Sequence, residues 1–391
     1  MPAVRGALRT ASALPCLRLL QRTPGNYCIG HWLSIFGSVD GSQPSALFPF
    51  MRIALDVMGG DHGSKVVIEG VQQAITQGIQ VSELILVGNE AEIENHLGQH
   101  GNRDKRLRTV HASEVLTMQD KPVEGLRRKK DCSILKAVDL VRDGHADAVI
   151  STGNTGGIVA ASTIRLRLLP GVDRPGIATV IPAPENEFVL LDSGANVECR
   201  PVHLLHYAVM GSVYSREILG YKNPRVGILS NGTEENKGNE LTLHALKLCK
   251  QIDINFVGNV EGHDLCHNRV DVVICDGFVG NIVLKTIESF AQGLIGWLKL
   301  ELLRNPKRML GAFLAKNALR TIKRRMDPDA YGGAPLLGLN GVVMKCHASA
   351  SPRAVMNAIR VCREALQNNI NLKIRDEVAR ANERIESPRA A

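Results

Sequence analysis

Short runs of apolar residues alternate along most of the chain with segments in which apolar residues recur every three or four positions. The second spacing predicts amphipathic helices, for example over residues 64–77, 133–144 and 239–251. The apolar runs predict β-strands over residues 52–57, 83–88, 106–111, 146–151, 225–230, 254–259 and 271–276. Because such alternation is typical of parallel βαβ units, we expect an α/β fold from Met51 onward.

Residues 285–326 break this alternation, since they contain no run that resembles a strand. Apolar side chains at helical spacing, such as Phe290 and Leu298, are mixed there with many basic ones. Asn305 and Pro306 interrupt the segment near its middle, and helices usually end before a proline. The pattern therefore predicts a hairpin of two amphipathic helices joined by a turn at these two residues.

The net charge is unevenly distributed. The 391 residues include 47 basic and 39 acidic side chains, a formal charge of +8. Residues 285–326 alone contain ten basic and two acidic residues, and the first fifty contain four arginines and one aspartate. The rest of the chain is therefore mildly acidic. Only 4% of residues are aromatic, so stacking surfaces for single-stranded nucleic acid are scarce and we expect no nucleic-acid partner.

The first fifty residues differ in composition from the rest. They are rich in arginine, poor in acids and interrupted by proline, glycine and serine, as in a transit peptide. The alternative, which we favour, is that upstream codons were translated by mistake and that the native chain starts at Met51. In either case we expect residues 1–50 to be an N-terminal extension, disordered or wrongly assigned, and residues 51–391 to form the functional domain.

Cysteine spacing points to the cytosol, and hydropathy argues against a membrane-spanning segment. Nine cysteines are scattered without a C-x-x-C pair, which predicts free thiols in a reducing compartment. No segment approaches ~18 consecutive apolar residues, so we expect no transmembrane helix and, at most, peripheral contact with a membrane.

Glycine-rich stretches carry most of the candidate chemistry. Three of them, DVMGGDH (56–62), STGNTGG (151–157) and DGFVGN (276–281), follow a predicted strand and precede a helix. A fourth, YGGAPLLG (331–338), is interpreted as a turn as well. Backbone N–H groups at strand-to-helix turns can bind an anion. None of the four matches the P-loop pattern or the G-x-G-x-x-G dinucleotide fingerprint.

Several polar residues near these turns are candidates for the site, each with a structural alternative. Asp192 follows an apolar run, where an acid is often either functional or a helix cap. Lys237 is equally consistent with a solvated loop lysine, and Lys285 with a surface lysine whose stem covers apolar residues. His62 is either a site histidine or a turn histidine.

Common catalytic motifs are missing from the sequence. It has no G-x-S-x-G nucleophile and no H-E-x-x-H metal motif, and we expect neither a metal nor an organic cofactor. The sequence is still compatible with a reaction that needs an anion-binding site but no strong nucleophile from the protein. Attack of inorganic phosphate on a thioester fits, because the phosphate dianion is already nucleophilic and the leaving thiolate is stable.

Eight segments together resemble one known family. They are DVMGGDHGSKVVIEG, KPVEGLRRKKDCS, STGNTGG, LLDSGANVECRPVHLLHYAVMG, GTEENKGNE, GNVEGHDL, DVVICDGFVGNIVLKTIE and YGGAPLLGLNG. In this order, from Met51 to about Leu366, they are similar to the bacterial phosphate acyltransferases, the acyl-acyl carrier protein:phosphate transacylases of phospholipid synthesis. Two short stretches depart from the family pattern, LSNG at 229–232 and HASA at 347–350, which puts Ser230 and Ala348 in doubt as site residues.

The resemblance implies a fold, an assembly and a reaction. The fold would be an αβα sandwich like that of the isocitrate and isopropylmalate dehydrogenases and the phosphotransacetylases, with the basic helical hairpin inserted. A homodimer would transfer a long acyl chain from acyl carrier protein to inorganic phosphate. The acyl phosphate would then serve a membrane glycerol-3-phosphate acyltransferase. We expect a cytoplasmic enzyme that is partly peripheral at the inner face of the cell membrane.

The turns and the resemblance together imply a set of site residues. Those that would bind phosphate or substrate are Gly59, Gly60, Gly153, Asn154, Thr155, Gly156, Lys237 and Lys285. Those that would orient these groups or move a proton are Asp56, Asp61, His62, Asp192, Asn196 and Asn281.

The predicted hairpin has three interpretations. It is a dimer-packing helix pair with a solvated charged face, a docking surface for the acidic carrier protein, or an adhesion surface for anionic lipid. For the last two, the contact residues would be Trp297, Arg304, Lys307, Arg308, Lys316, Arg320, Lys323, Arg324 and Arg325.

Other functions are compatible with parts of the sequence. A phosphotransacetylase-like enzyme acting on short acyl-CoA would share the phosphate chemistry and differ only in the carrier. A noncatalytic membrane-surface scaffold would be expected to have degraded glycine turns, whereas they are intact here. A dehydrogenase is disfavoured by the missing dinucleotide fingerprint.

Overall fold

The strands and helices follow one another largely as the apolar pattern predicts. A computed structural model describes residues 51–98 and 104–386, so the predicted N-terminal extension lies outside the described residues. The strands are β1 (Arg52–Asp56), β2 (Glu83–Gly88), β3 (Leu107–His111), β4 (Ala148–Ser151), β5 (Gly176–Ile177), β6 (Thr179–Pro182), β7 (Glu187–Leu191), β8 (Val226–Leu229), β9 (Phe256–Val260), β10 (Val272–Ile274), β11 (Ala334–Leu337) and β12 (Val342–Lys345).

Helices connect most of these strands. They are α1 (Gly63–Thr76), α2 (Glu90–Gly98), α3 (Pro122–Arg128), α4 (Ser133–Arg142), α5 (Thr155–Leu166), α6 (Pro201–Glu217), α7 (Glu240–Cys249), α8 (Gly277–Leu302), α9 (Pro306–Leu314), α10 (Lys316–Arg325), α11 (Pro352–Gln367) and α12 (Ile370–Glu386). All seven predicted strands and the three predicted example helices are present. The chain is therefore an α/β protein, as expected.

The first sheet has seven strands in the order β3-β2-β1-β4-β12-β11-β5. Strands β1, β2, β3, β4 and β12 are parallel, and β11 runs antiparallel to both β12 and β5. The position of β12 beside β4 brings a strand from the last part of the chain into the middle of the sheet. The carboxyl ends of β1, β4 and β12 consequently lie side by side.

The second sheet has five strands in the order β6-β7-β10-β8-β9. Strands β7, β10, β8 and β9 are parallel, and the edge strand β6 is antiparallel to β7. The carboxyl ends of β7 and β10 carry the loops that begin at Asp192 and Cys275.

Helix packing joins the two sheets into one core. Helix α6 packs on strands β7, β8 and β10 and on helices α7 and α12, and its residues 203–215 are all buried. The largest group of mutually contacting buried residues contains Ile53 of the first sheet, Tyr207 of α6 and Val272 of the second sheet. Helices α1 and α11 approach closely at Gly70, where a Cβ atom would lie 2.6 Å from the carbonyl oxygen of Pro352.

The fourth glycine-rich stretch is not simply a turn. Residues 334–337 of YGGAPLLG form strand β11, and the two glycines before it, Gly332 and Gly333, have positive φ angles of 79° and 156°. The prediction was wrong here because a four-residue strand that contains Pro335 is too short to give a clear apolar run, and proline is uncommon within strands.

The predicted two-helix hairpin is also wrong in its details. Helix α8 begins at Gly277, well before residue 285, because the Asp276 side chain accepts a hydrogen bond from the Val279 backbone N–H and caps the helix there. The break near Asn305 is present, and Asn305 caps α9 through the Arg308 backbone N–H. The second predicted helix is two helices, α9 and α10, which are separated at Ala315.

None of the helices in residues 51–98 and 104–386 combines the length and the apolar character needed to cross a bilayer. The seven cysteines in these ranges are free thiols, and five of them are buried.

Candidate active site

Three polar side chains form a row at the carboxyl edge of the first sheet. Asp56 ends β1, Ser151 ends β4 and Lys345 ends β12, and strand pairing places Ser151 in register with both of the others. Residues in register on neighbouring parallel strands point to the same face of a sheet. The Ser151 hydroxyl donates a 2.7 Å hydrogen bond to the Asp56 carboxylate. An acid, a hydroxyl and a cation are therefore fixed side by side by the strand register.

Two glycine turns close over this row. A Cβ atom at Gly59 would lie 2.4 Å from the backbone nitrogen of Gly153, so only glycine permits this approach. Gly60 has a φ of +87° and lies against the Ala348 carbonyl, which also accepts a hydrogen bond from the Asp61 backbone N–H. The Thr152 hydroxyl donates to the carbonyl of Gly59 at 2.7 Å. The turns of residues 56–62 and 151–157 are thus held together, as the sequence implied.

The side chain of Asn154 is used by the fold. Its carbonyl oxygen accepts a hydrogen bond from the Gly157 backbone N–H and caps helix α5. Its amide nitrogen donates to the carbonyl oxygens of Thr117 and Asp120, at 3.1 and 3.2 Å. Asn154 therefore positions the loop before α3 beside the turn, and any contact with an anion would fall to its backbone. Thr155 and Gly156 are exposed in the first turn of α5.

Asp61 and His62 lie exposed at the start of α1. His62 occupies the N-cap position of that helix, but its side chain makes no capping hydrogen bond. Both residues therefore line the open side of the glycine turn. Ala348, one of the departures from the family pattern, is not among the positive-φ residues of the described chain, so its methyl group needs no glycine backbone there.

Asp192 organises a second cluster at the carboxyl edge of the second sheet. The side chain is completely buried, and its carboxylate accepts hydrogen bonds from four backbone N–H groups, those of Ile177, Gly194, Ala195 and Asn196. The Asn196 amide donates to the same carboxylate at 3.1 Å. Burial raises the pKa of Asp192, and the backbone donors oppose that rise.

The first turn of α8 packs on this loop through two glycines. A Cβ atom at Gly277 would lie 2.7 Å from the carbonyl oxygen of Asn196, and one at Gly280 would lie 1.9 Å from the carbonyl oxygen of Asp192. The exposed Asn281 lies next to Gly194, which has a φ of +137°. Asp192, Asn196 and Asn281 are thus brought together in a second cluster.

The two predicted lysines lie at the periphery. The side chain of Lys285 on α8 is 51% exposed and forms a 2.7 Å ion pair with Glu288. Lys237 is exposed in the loop after β8, where its backbone carbonyl is an acceptor for the Asn259 amide. In the same loop, the buried Ser230 hydroxyl has no hydrogen-bond partner within the described ranges.

Lys345 is the site residue that the sequence analysis missed. It is only 7% exposed, and charge interactions reach it from Asp56, Asp61 and Lys285. Burial lowers the pKa of Lys345 to about 8, while the Asp56 and Asp61 charges act to raise it. Burial likewise raises the pKa of Asp56, and hydrogen bonds from Ser133 and Ser151 oppose this. The available signal was a charged residue that ends an apolar run, the same signal that singled out Asp192.

The arrangement suits an anion better than a cation. Backbone N–H groups at two strand-to-helix turns and a buried ammonium group converge on one edge of the sheet. Within residues 51–98 and 104–386, no group of three or more histidine, cysteine, aspartate or glutamate side chains is placed to hold a metal ion.

The basic surface lies on helices α8, α9 and α10. Trp297 is 66% exposed and borders a shallow apolar groove on α8 that also includes Phe290 and Leu294. Arg304 and Arg308 both pair with Glu301. The remaining predicted contact residues are exposed on α9 and α10, namely Lys307, Lys316, Arg320, Lys323, Arg324 and Arg325.

Comparison with known proteins identifies relatives over most of the chain. The family model described as fatty acid synthesis protein matches residues 51–373. A phosphate acyltransferase from Pelotomaculum thermopropionicum is 47% identical over 328 residues, which are 84% of this chain and 95% of that protein. A phosphate acyltransferase from Desulforudis audaxviator is 49% identical over 322 residues, 82% of this chain and 94% of that protein.

Solved structures give the same fold at much lower sequence identity. A phosphotransacetylase from Streptococcus pyogenes matches with a TM-score of 0.54 and 18% identity, over 81% of this chain and 94% of that one. A branched-chain phosphotransacylase from Enterococcus faecalis matches with a TM-score of 0.50 and 15% identity, over 80% of this chain and 98% of that one. These likenesses concern the fold, and they agree with the predicted α/β sandwich.

Family membership rests on the sequence matches, which extend from Met51 through all the glycine turns and both strand-end clusters. The chain is therefore an acyltransferase that belongs to the fatty acid synthesis protein family, together with the phosphate acyltransferases of the relatives named above.

Proposed function

We propose that this enzyme transfers a long-chain fatty acyl group from acyl carrier protein to inorganic phosphate. The product would be an acyl phosphate that serves glycerol-3-phosphate acylation in phospholipid synthesis. The observation that carries the proposal is the pair of glycine turns held over the row of Asp56, Ser151 and Lys345. Relatives at 47% and 49% identity that are named phosphate acyltransferase support it.

The reaction needs one bond to form and one to break. An oxygen of the phosphate dianion attacks the thioester carbonyl carbon, the carbon–sulfur bond breaks, and the proton of the phosphate ends on the departing thiolate. Backbone N–H groups of Gly59 and Gly60 would stabilise the charge of the phosphate. The Gly153 N–H, which donates to the Ser151 hydroxyl at 3.0 Å, would have to exchange that acceptor for the phosphate to do the same. Asp56, Asp61 or His62 would relay the proton, because these are the titratable groups at the turns.

The Asp192 cluster would position the residues of helix α8 that contact the substrates. Asp192 and Asn196 fix the loop against which the first turn of α8 packs. Lys285 on this helix is close enough to the first sheet for its charge to act on Lys345. We propose that Asn281 and the exposed lysines Lys237 and Lys285 contact the incoming phosphate or the carrier arm at the rim of the site.

The direct test is a trapping experiment. The purified full-length protein is mixed with palmitoyl-acyl carrier protein and phosphate, and acyl phosphate is captured with hydroxylamine. Phosphate-dependent hydroxamate is the expected result, and its absence would contradict the proposal. Parallel reactions with palmitoyl-CoA and acetyl-CoA test the donor, since a clear preference for acetyl-CoA would favour the phosphotransacetylase-like alternative.

We further propose that the enzyme is a homodimer and that α8, α9 and α10 contact acyl carrier protein or an anionic membrane. Exposed apolar residues such as Trp297, Leu310 and Phe313 beside a basic surface support this proposal. Sedimentation with vesicles that contain anionic lipid, at low and high salt, tests membrane adhesion. Binding that salt weakens is expected, and no binding at low salt would contradict it. Analytical ultracentrifugation tests the dimer.

A further inference from the structure

Lys345 occupies the inner end of the candidate site. Strand register places it beside Ser151 and two strands from Asp56, the two residues against which Gly153 packs. Charge interactions reach it from Asp61 on the first turn and from Lys285 on α8. Lys345 is thus the side chain on which charges from the first glycine turn and from helix α8 both act.

The ammonium group of Lys345 has unused hydrogen-bonding capacity. The side chain is 93% buried, and the acceptor found for its Nζ among the described residues is the carbonyl of the adjacent Cys346. An ammonium group has three N–H donors, and a buried charge without full compensation raises the free energy of the folded protein. A bound dianion would supply both opposite charge and the missing acceptors.

Neither of the exposed lysines offers the same environment. Lys285 is half exposed and already paired with Glu288, so water screens its charge. Lys237 is exposed in its loop. Because electrostatic interactions strengthen as water is excluded, a buried cation contributes more to anion binding than either of these.

We propose that Lys345 directly binds the phosphate substrate and is the main side-chain cation of the phosphate site. The proposal rests on the proposed function and adds to it the residue that recognises the nucleophile. Lys345 remains protonated throughout. It holds the phosphate while the phosphate oxygen bonds to the acyl carbon and the thiolate leaves with the proton of the phosphate.

The proposal has a pH signature. The charged or titratable groups that act on Lys345 are Cys346, Asp56, Asp61 and Lys285. The first three favour its protonated form, and Lys285 opposes it. In the free enzyme, phosphate affinity should fall as the pH rises through about 8, where Lys345 loses its proton. In Lys345→Arg, whose guanidinium stays protonated, the fall at this pH should disappear.

The test measures binding of inorganic phosphate to the full-length protein by isothermal titration calorimetry, and KM for phosphate in the hydroxamate assay. Lys345→Met should weaken both by roughly ten- to a hundredfold, the effect expected for one buried, charged hydrogen bond. Lys345→Arg should retain most of the binding. The matched control Lys247→Met, an exposed lysine on α7, should leave both unchanged.

Each outcome decides a different point. If Lys345→Met is folded and binds phosphate as the wild type does, the role of Lys345 is overturned while the acyl transfer can still stand. If phosphate binding depends on Lys345 but no thioester yields hydroxamate, the acyltransferase proposal fails and the phosphate site stands. Should Lys345→Met not fold, the double variant Asp56→Asn/Lys345→Met, which keeps the row uncharged, is compared with Asp56→Asn, and equal phosphate affinity of the two would overturn the proposal.

Discussion

Asp56 and Asp192 are both buried aspartates at the carboxyl end of a parallel strand, yet their surroundings differ. Asp192 accepts hydrogen bonds from four backbone N–H groups and one amide, and this set satisfies both carboxylate oxygens. Asp56 accepts from the Ser151 and Ser133 hydroxyls and from one long backbone contact at 3.3 Å, and it faces the charge of Lys345.

This difference indicates that Asp192 stabilises the fold, whereas Asp56 is available for chemistry. Backbone donors cannot move without moving the chain, so Asp192 fixes a loop. Side-chain hydroxyls and an ammonium group can exchange partners when a substrate enters. Two aspartates with the same place in the sequence pattern therefore have different expected consequences when they are changed.

The largest effect should come from Asp192→Ala. Removal of the carboxylate leaves one buried and three partly buried backbone N–H groups without an acceptor, and we expect the free energy of unfolding to fall by about 3–5 kcal/mol. Urea denaturation followed by circular dichroism measures this change. A loss below about 1 kcal/mol would mean that the loop does not depend on Asp192 and would remove the contrast with Asp56.

The next effect concerns the pH dependence of stability. The pKa of Lys345 is about 8 in the folded protein and 10.5 in the unfolded chain, so between these values the unfolded chain binds more protons and stability rises with pH. Between about pH 8 and pH 10.5, we expect Lys345 to increase the free energy of unfolding by roughly 3 kcal/mol at most. Denaturation of the wild type and Lys345→Met at both ends of the window measures it. An identical pH slope in both proteins would contradict the burial of a charged lysine.

A third change tests the packing of α8 on the Asp192 loop. In Gly280→Ala the new methyl group would meet the Asp192 carbonyl oxygen, and we expect a loss of about 1–3 kcal/mol, measured by thermal unfolding. Gly293→Ala on the same helix is the matched control, because nothing lies within 4 Å of its Cβ position. There we expect unchanged stability or a gain of roughly 0.5–1 kcal/mol.

The smallest effect on stability should come from Asp56→Asn. The amide keeps the size of the side chain and can still accept the Ser151 hydrogen bond, so we expect stability to change by about 1 kcal/mol or less. Activity in the hydroxamate assay should nevertheless fall by roughly a hundredfold or more, since the carboxylate is lost from the row of polar side chains. Full activity in a folded Asp56→Asn protein would place Asp56 with Asp192, as a structural residue.

Much of the site followed from local sequence. Gly59, Gly60 and Gly153 were predicted because tight strand-to-helix turns favour glycine, and the structure brings the two turns together. Lys345 was not predicted, because the apolar run that it ends, residues 342–345, was not among the predicted strands. β12 pairs with β4, which lies almost 200 residues earlier in the chain, and this long-range pairing makes Lys345 a site residue.

The helices after residue 277 also show what local sequence predicts and what it does not. Their amphipathic pattern predicted helices and a break at Asn305, which local capping determines. It did not predict the second break at Ala315, where no glycine or proline interrupts the apolar spacing.

By itself the sequence determined the α/β class, the order of most elements, the glycine turns and the family, because these depend on residue spacing and on backbone conformations that only certain residues adopt. The tertiary structure decided which polar groups are satisfied and which are not. It made Asp192 and the side chain of Asn154 structural, placed Lys237 and Lys285 at the rim, and buried Lys345 beside Asp56. Burial and partner geometry are properties of the packed chain, since they depend on contacts between segments far apart in sequence.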